Sequence, residues 1–333
     1  MSSSSSEPTP ENTEAIAAGL RLAVIGARRV NDGTGQFLAR QAHQAGATVV
    51  AVVGTSYDSA RQASESLQAY GLNPDVFAEE ENMFDEVNPD AVIIASPTHS
   101  HLDWVKECLE HRVHVLCEKP IAISNPNAVA DLIGSFTAQE LVIAENCQWP
   151  FTLNAWQQLH PAGRLENATS FSMMLSPALR GEERWQEILS HPISLIQKIS
   201  PGPAELVDIS FSEAQADAPD SSLRFVYQCQ HRQLQCEIIL EDMDAFPPPA
   251  EYSINGELCH RLVGDNYEIS FSSQIGSNSP SVSILDPMEQ SLRQFLKRVN
   301  SVKNSHASVA LDEDLIRRQF LVDALLRSYR QQS

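Results

Sequence analysis

The chain has 333 residues, 42% hydrophobic and 20% charged, which is enough for two domains and a large buried core. Its formal charge of −20 argues against nucleic acid and anionic membrane surfaces, because phosphate binding needs clustered Lys and Arg. No apolar run approaches the roughly 20 residues that span a bilayer, so no membrane partner is expected. The cysteines Cys108, Cys117, Cys147, Cys229, Cys236 and Cys259 form neither a C-x-x-C pair nor a dense framework. They read as reduced thiols of a cytoplasmic protein.

Residues 1–19 read as a disordered tail. Met1 to Asn12 are rich in Ser, Glu and Pro and lack the basic and apolar regions of a signal peptide. Residues 22–25 make a short apolar strand ending at Gly26, and 35–45 carry helical spacing with Phe37, Leu38, Ala42 and Ala45 on one side. The β-branched run at 48–53 predicts a second buried strand. A helix at 59–70 follows, then a strand at 91–95 closed by Ser96-Pro97. A helix at 101–111 leads to a strand at 113–117 that runs into Glu118-Lys119-Pro120. This alternation predicts an α/β Rossmann domain, a doubly wound parallel sheet covered on both faces, over residues 20–147.

Beyond 147 the pattern changes to successive strands at 168–175, 204–211, 223–229, 233–240 and 267–272. Polar or proline-rich loops such as Phe246-Pro247-Pro248-Pro249 join them, and helices at 288–299 and 312–331 close the chain. Strands with helices set apart predict an α+β domain over 148–333 with a largely antiparallel open sheet.

The first turn departs from the G-x-G-x-x-G spacing of dinucleotide sites. It reads Gly26-Ala27-Arg28-Arg29-Val30-Asn31-Asp32-Gly33-Thr34-Gly35, so with Gly35 as third glycine the loop is about four residues longer. NAD sites usually end the second strand with an acid for the ribose hydroxyl; here Val53-Gly54-Thr55-Ser56 offers none until Asp58. Without that carboxylate a 2′-phosphate is not repelled, Thr55 and Ser56 supply hydroxyl donors, and Arg28 and Arg29 reach the same corner. The reading favours NADP over NAD, with two solvated loop arginines as the alternative.

The chain has five lysines against eighteen arginines, so Lys119 stands out as a place for a compact ammonium donor. His99 and His101 alternate, and an extended segment aims both the same way. No cluster of Cys, Asp or Glu with matching spacing follows them, so no metal site is expected. His111 and His114 read as surface or helix-end residues.

With Gly26, Ser96-Pro97-Thr98-His99-Ser100-His101 and Glu118-Lys119-Pro120 in this order, the chain resembles the Gfo/Idh/MocA oxidoreductase family. Phe295-Leu296 and the stretch from Ser308 to Ser328, with Asp323-Ala324, add to the likeness. The resemblance implies NAD(P)-dependent hydride transfer at a hydroxyl or carbonyl carbon of a sugar, inositol or related polyol. It implies that the second domain packs the substrate against the nicotinamide, and a homodimer or homotetramer through its sheet. Lys119 maps onto the active-site lysine that donates to the reacting oxygen, with Glu118 and Pro120 fixing its backbone beside the nicotinamide. Ser96, Pro97 and His99 map onto the cofactor lining, and Asn146 onto the crossover between domains.

Members of that family also carry Asp-x-x-x-His in a glycine-rich stretch. The nearest match here is Glu187-Ile188-Leu189-Ser190-His191, preceded by Gly181-Glu182-Glu183-Arg184-Trp185. The resemblance makes His191 the acid or base, suited to proton exchange near neutral pH, with Glu187 as its longer-armed partner. Pro192 biases His191 away from helical geometry, which bears on whether the two share a face. The long glycine loop and this altered motif keep open a second class, a dinucleotide-binding sensor or assembly protein without redox chemistry.

Overall fold

Continuous apolar runs bounded by turns give β1 (Arg21–Ile25), β2 (Thr48–Gly54), β3 (Asp75–Ala78), β4 (Ala91–Ile94), β5 (His114–Cys117) and β6 (Ile143–Glu145). The structure is a computed structural model that describes residues 16–27, 33–79, 82–213, 220–230, 232–243, 247–264, 268–276 and 280–332. The six strands pair in the order β3-β2-β1-β4-β5-β6, with every pair parallel. Helices α1 (Thr34–Gln44), α2 (Tyr57–Gln68), α3 (Met83–Val87), α4 (His101–Glu110) and α5 (Pro126–Ala138) make the crossovers.

Side chains that alternate along each strand go to opposite faces. Leu22, Val24, Val52, Ile93 and Leu116 pack under Leu38 and Ala42 of α1. Ala23, Ile25, Val53, Val92, Ile94 and Val115 meet Val105 of α4 and Ile133 and Phe136 of α5 on the other face. The strand order reverses between β1 and β4, which opens a crevice at their carboxyl ends. The short β3 and β6 and the helix α5 add to the predicted pattern.

His114 lies in β5, buried, rather than on a surface or helix end, and its Nδ1 accepts from the Val142 N–H at 2.8 Å. Burial pushes its pKa down from 6.5 to about 4, partly offset by Asp90. The folded state therefore holds this ring neutral while the unfolded chain protonates it near pH 6.5. Stability from this group is complete above pH 6.5 and falls between pH 6.5 and 4, by about 3 kcal/mol in all. His114→Asn keeps an acceptor without a titration, so urea unfolding of the variant is expected to lose that part of the pH dependence.

The second sheet orders as β14-β13-β12-β11-β7-β10-β9-β8. Its strands are β7 (Ser170–Leu175), β8 (Ala204–Glu213), β9 (Ser221–Cys229), β10 (Arg232–Leu240), β11 (Ala250–Ile254), β12 (Glu257–Val263), β13 (Ile269–Ser272) and β14 (Ser281–Ser283). All neighbouring pairs are antiparallel except β7 with β10. Its inner face, with Phe171, Met173, Tyr252, Cys259 and Phe271, packs on α6 (Leu153–Leu159), α7 (Gly181–Ile188) and α8 (Ser190–Ile199) through Trp156, Trp185 and Ile196.

Two long helices finish the chain. α9 (Pro287–Ser305) puts Leu292, Phe295, Leu296 and Val299 into the first domain's core beside α1. α10 (Glu313–Gln332) gives Leu315 to the first domain and Val322, Leu325 and Leu326 to the second. Among the described residues, no helix is long and apolar enough to cross a membrane.

Candidate active site

A row of backbone hydrogen bonds lines up the carboxyl ends of five parallel strands. Gly26 N donates to Val53 O at 3.0 Å, Ala95 N to Ile25 O at 2.8 Å, Glu118 N to Ile94 O at 2.8 Å, and Asn146 N to Cys117 O at 2.7 Å. Gly26 has φ +90°, and a Cβ there would lie 2.5 Å from Ser96 N, so only glycine lets the first turn meet the fourth strand. A Cβ on Gly35 would sit 3.0 Å from Ala27 Cα, which fixes how closely α1 approaches the turn.

Gly33 caps α1 without any side-chain hydrogen bond. The N-terminus of this 11-residue helix follows β1 and so lies at the carboxyl end of the sheet with the positive end of its dipole, without a side-chain cap among the described residues. This open terminus at a strand-to-helix turn fits a dinucleotide pyrophosphate. Arg28 and Arg29 lie outside the described residues. Thr55 is exposed at the end of β2. Ser56 starts α2, where its Oγ accepts from Ser59 N at 3.2 Å, which leaves its O–H free to donate.

Residues 98–100 form a 3-10 turn that leads into α4 rather than an extended segment. His99 and Pro97 are exposed while His101 is buried, so the two histidines do not share a direction. His101 ties two site loops together: Nδ1 lies 2.8 Å from Pro120 O and Nε2 lies 2.7 Å from Ser96 O. Ser96 Oγ is 2.7 Å from Ser100 Oγ. His101→Ala strands both carbonyls and is expected to cost about 2–4 kcal/mol in urea unfolding, with cofactor affinity falling alongside.

Lys119 follows β5, joined to Pro120 by a cis peptide. Its Nζ donates to the backbone O of Glu187 at 3.1 Å, so the first domain's lysine is held by the second domain's α7. Glu118 Oε1 accepts from Asn146 Nδ2 at 2.6 Å, and Asn146 Oδ1 is buried without a partner. Burial raises the Glu118 pKa, opposed by Lys119 and the Asn146 bond.

Just behind the lysine, Glu145 Oε1 accepts from Ile121 N at 3.2 Å and Gln319 Nε2 at 3.3 Å, while Oε2 accepts from Arg318 Nη1 at 2.7 Å. Arg318 Nε in turn donates to Gln197 Oε1 at 3.1 Å. The loop that carries Lys119 is thereby fastened to α8 and α10.

Between these elements lies a cavity of about 140 Å³ lined by Lys119, Trp149, Glu187, His191, Pro248 and Arg261, among others. Glu187 and His191 both reach it. Pro192 sits in the first turn of α8, where a missing N–H is tolerated. The break falls at Leu189, whose φ −60° and ψ −30° keep the path helical, so residues four apart still share a face. Glu187 Oε2 and His191 Nδ1 are each buried without a partner, and no hydrogen bond joins the two side chains among the described residues.

Burial, then the positive charges of Lys119, Arg261 and Arg318, push the His191 pKa well below 6.5. This departs from the expected exchange near neutral pH: the ring is held neutral. Trp149 meets it edge-on with centroids 6.3 Å apart.

Sequence reasoning passed over Trp149, Arg261, and the Glu145–Arg318 pair. Arg261 follows Cys259 by two on β12 and so shares the sheet's inner face. That placement needs the pairing of β12 with β11 and β13, which no local pattern announces. Among the described residues no cluster of three or more His, Cys, Asp or Glu is placed to hold a metal.

Residues 20–146 match the family model GFO_IDH_MocA, described as an oxidoreductase family with an NAD-binding Rossmann fold. Among curated proteins, the 2,7-anhydro-N-acetylneuraminate hydratase of Mediterraneibacter gnavus is 34% identical over 96 residues, 28% of this chain and 24% of that protein. The matched segment thus spans about a quarter of the relative's length. Among solved structures, a probable dehydrogenase from Thermotoga maritima has a TM-score of 0.68 at 15% identity, covering 94% of this chain and 98% of its own. A myo-inositol dehydrogenase from Corynebacterium glutamicum has a TM-score of 0.66 at 14% identity, covering 94% and 97%. At these identities the structures establish the shared two-domain fold.

Proposed function

We propose, from the match of residues 20–146 to the model of an oxidoreductase family with an NAD-binding Rossmann fold, that the chain is an NAD(P)-dependent enzyme acting on a hydroxyl or carbonyl carbon of a sugar, inositol or related polyol. The observation that carries this reading is the convergence of Lys119, on the first domain, and His191, on the second, upon one cavity beside the crevice.

A bound nicotinamide supplies the hydride acceptor or donor. The open N-terminus of α1 and the Gly26 turn hold the pyrophosphate end, and Ser96, Pro97, His99, Glu118 and Pro120 lie toward the nicotinamide end. Lys119 donates from Nζ to the reacting oxygen and stabilises negative charge there. The Glu187 carbonyl, already its partner at 3.1 Å, aims that ammonium. His191, or a water beside it, exchanges the hydroxyl proton, and Glu187 lines the same cavity. Trp149 and Pro248 form part of the cavity wall.

The missing acid after β2 favours NADP over NAD, with Thr55 and the Ser56 hydroxyl as donors to a 2′-phosphate. The buried free cysteines suit a cytoplasmic setting. A homodimer or homotetramer forms through the outer face of the second sheet, where Met174, Ile239, Leu258 and Leu262 are only half-buried. Light scattering of the purified protein checks this; a monomer at micromolar concentration contradicts it.

The reading is tested by following absorbance at 340 nm with NADP+ or NAD+ across a panel of sugars, inositols and sugar acids. Turnover that disappears in Lys119→Ala supports it. Tight cofactor binding with no turnover anywhere in the panel favours the sensor or assembly protein instead.

A further inference from the structure

Arg261 reaches the cavity with an incomplete set of partners. Its Nη2 donates to Pro248 O, its guanidinium carbon stacks 5.8 Å from the Trp149 ring centroid, and its Nε is buried with no partner. Among the described residues it forms no ion pair within 4 Å, and Asp286 is the one charged group that acts on it. The nearest acidic influence is Asp286, whose carboxylate is committed to capping α9 through the N–H groups of Met288 and Glu289. Burial lowers the Arg261 pKa and Asp286 raises it less, so the protein leaves this charge undercompensated. A stacked, buried guanidinium with an unused donor is the group suited to planar anions.

The rest of the cavity agrees. Its lining holds two cations, Lys119 and Arg261, against one carboxylate, Glu187, in a chain whose formal charge is −20. The volume of about 140 Å³ matches a single six-membered ring, since a cavity of about 150 Å³ accommodates benzene. Lys119 enters the cavity from the end of β5 in the first domain, while Arg261 enters it from β12 of the second sheet, so with Lys119 assigned to the reacting oxygen Arg261 is left to hold the substrate.

We propose that Arg261 anchors a carboxylate, and that the substrate is an acidic monosaccharide or a hydroxy acid of similar size rather than a neutral polyol. This rests on the cavity being the substrate site of the reading above.

The test is calorimetry on full-length protein, with and without saturating NADPH, using three matched probe pairs: D-glucuronate and D-glucose, D-galacturonate and D-galactose, L-tartrate and L-threitol. At least one acid is expected to bind about 10–100-fold more tightly than its neutral partner. In Arg261→Gln that ratio is expected to collapse toward one, and in Arg261→Lys to recover in part. Thermal melting and NADPH affinity of the variants show that the fold is intact. Neutral partners binding as well as the acids, no acid binding at all, or an acid preference untouched in Arg261→Gln each overturn the anchor. Failure of NADPH to bind sinks the cofactor reading alone, because an acid preference that depends on Arg261 without NADPH still supports the anchor.

Discussion

Lys119→Ala is expected to lower kcat by about 100–1,000-fold, the usual loss when one donor to a developing oxyanion is removed, while cofactor affinity changes by less than about threefold. The split follows from where the side chain ends. Lys119 Nζ bonds the Glu187 carbonyl across the domain boundary and lines the cavity, whereas the proposed pyrophosphate site is the Gly26 turn and α1. Arginine is a poor replacement, because a planar fork cannot occupy the place of a compact ammonium; Lys119→Arg is expected to resemble Ala in turnover. Steady-state kinetics with a cofactor titration on the same preparations decide this. Unchanged kcat in Lys119→Ala removes the residue from the mechanism.

Arg318→Ala is expected to carry the largest stability effect, about 3–5 kcal/mol, as is usual when one partner of a buried ion pair is lost. The Glu145 side chain is fully buried and Arg318 nearly so, at 0% and 10% exposure. Removing the guanidinium leaves a carboxylate bonded, among the described residues, only to Ile121 N, Gln319 and Cys147. Because Ile121 stands two residues from Lys119, activity is expected to fall as well. The double variant Glu145→Gln with Arg318→Met removes both charges and is expected to recover part of the stability. Urea unfolding of the two single variants and the double variant measures the coupling. A loss below about 1 kcal/mol in Arg318→Ala contradicts a load on this pair.

Much of the first domain is legible in the chain because parallel strands buried on both faces leave continuous apolar runs such as Ala91–Ile94, and because glycine is required where Gly26 abuts Ser96. Lys119 announces itself through the Glu-Lys-Pro context. The site's second half is less readable. Arg261 sits on a strand with an irregular burial pattern, and its role depends on which strand lies beside it. His191 is visible as a residue but not in its protonation, since the depressing charges come from positions 119, 261 and 318. His101 reads as half of an alternating pair, yet the 3-10 turn before α4 rotates it into the interior to join two loops. Helix α9 follows the second sheet in sequence but packs beside α1, a long-range choice with no local signature.

The most direct measurement is a fluorescence titration of the purified protein with NADPH and, separately, NADH. Saturable binding of both is expected, tighter for NADPH, with loss of binding in Gly26→Ala, whose added Cβ would press on Ser96 N at 2.5 Å. Binding of neither nucleotide would contradict it, because the open end of α1 would then cradle no pyrophosphate.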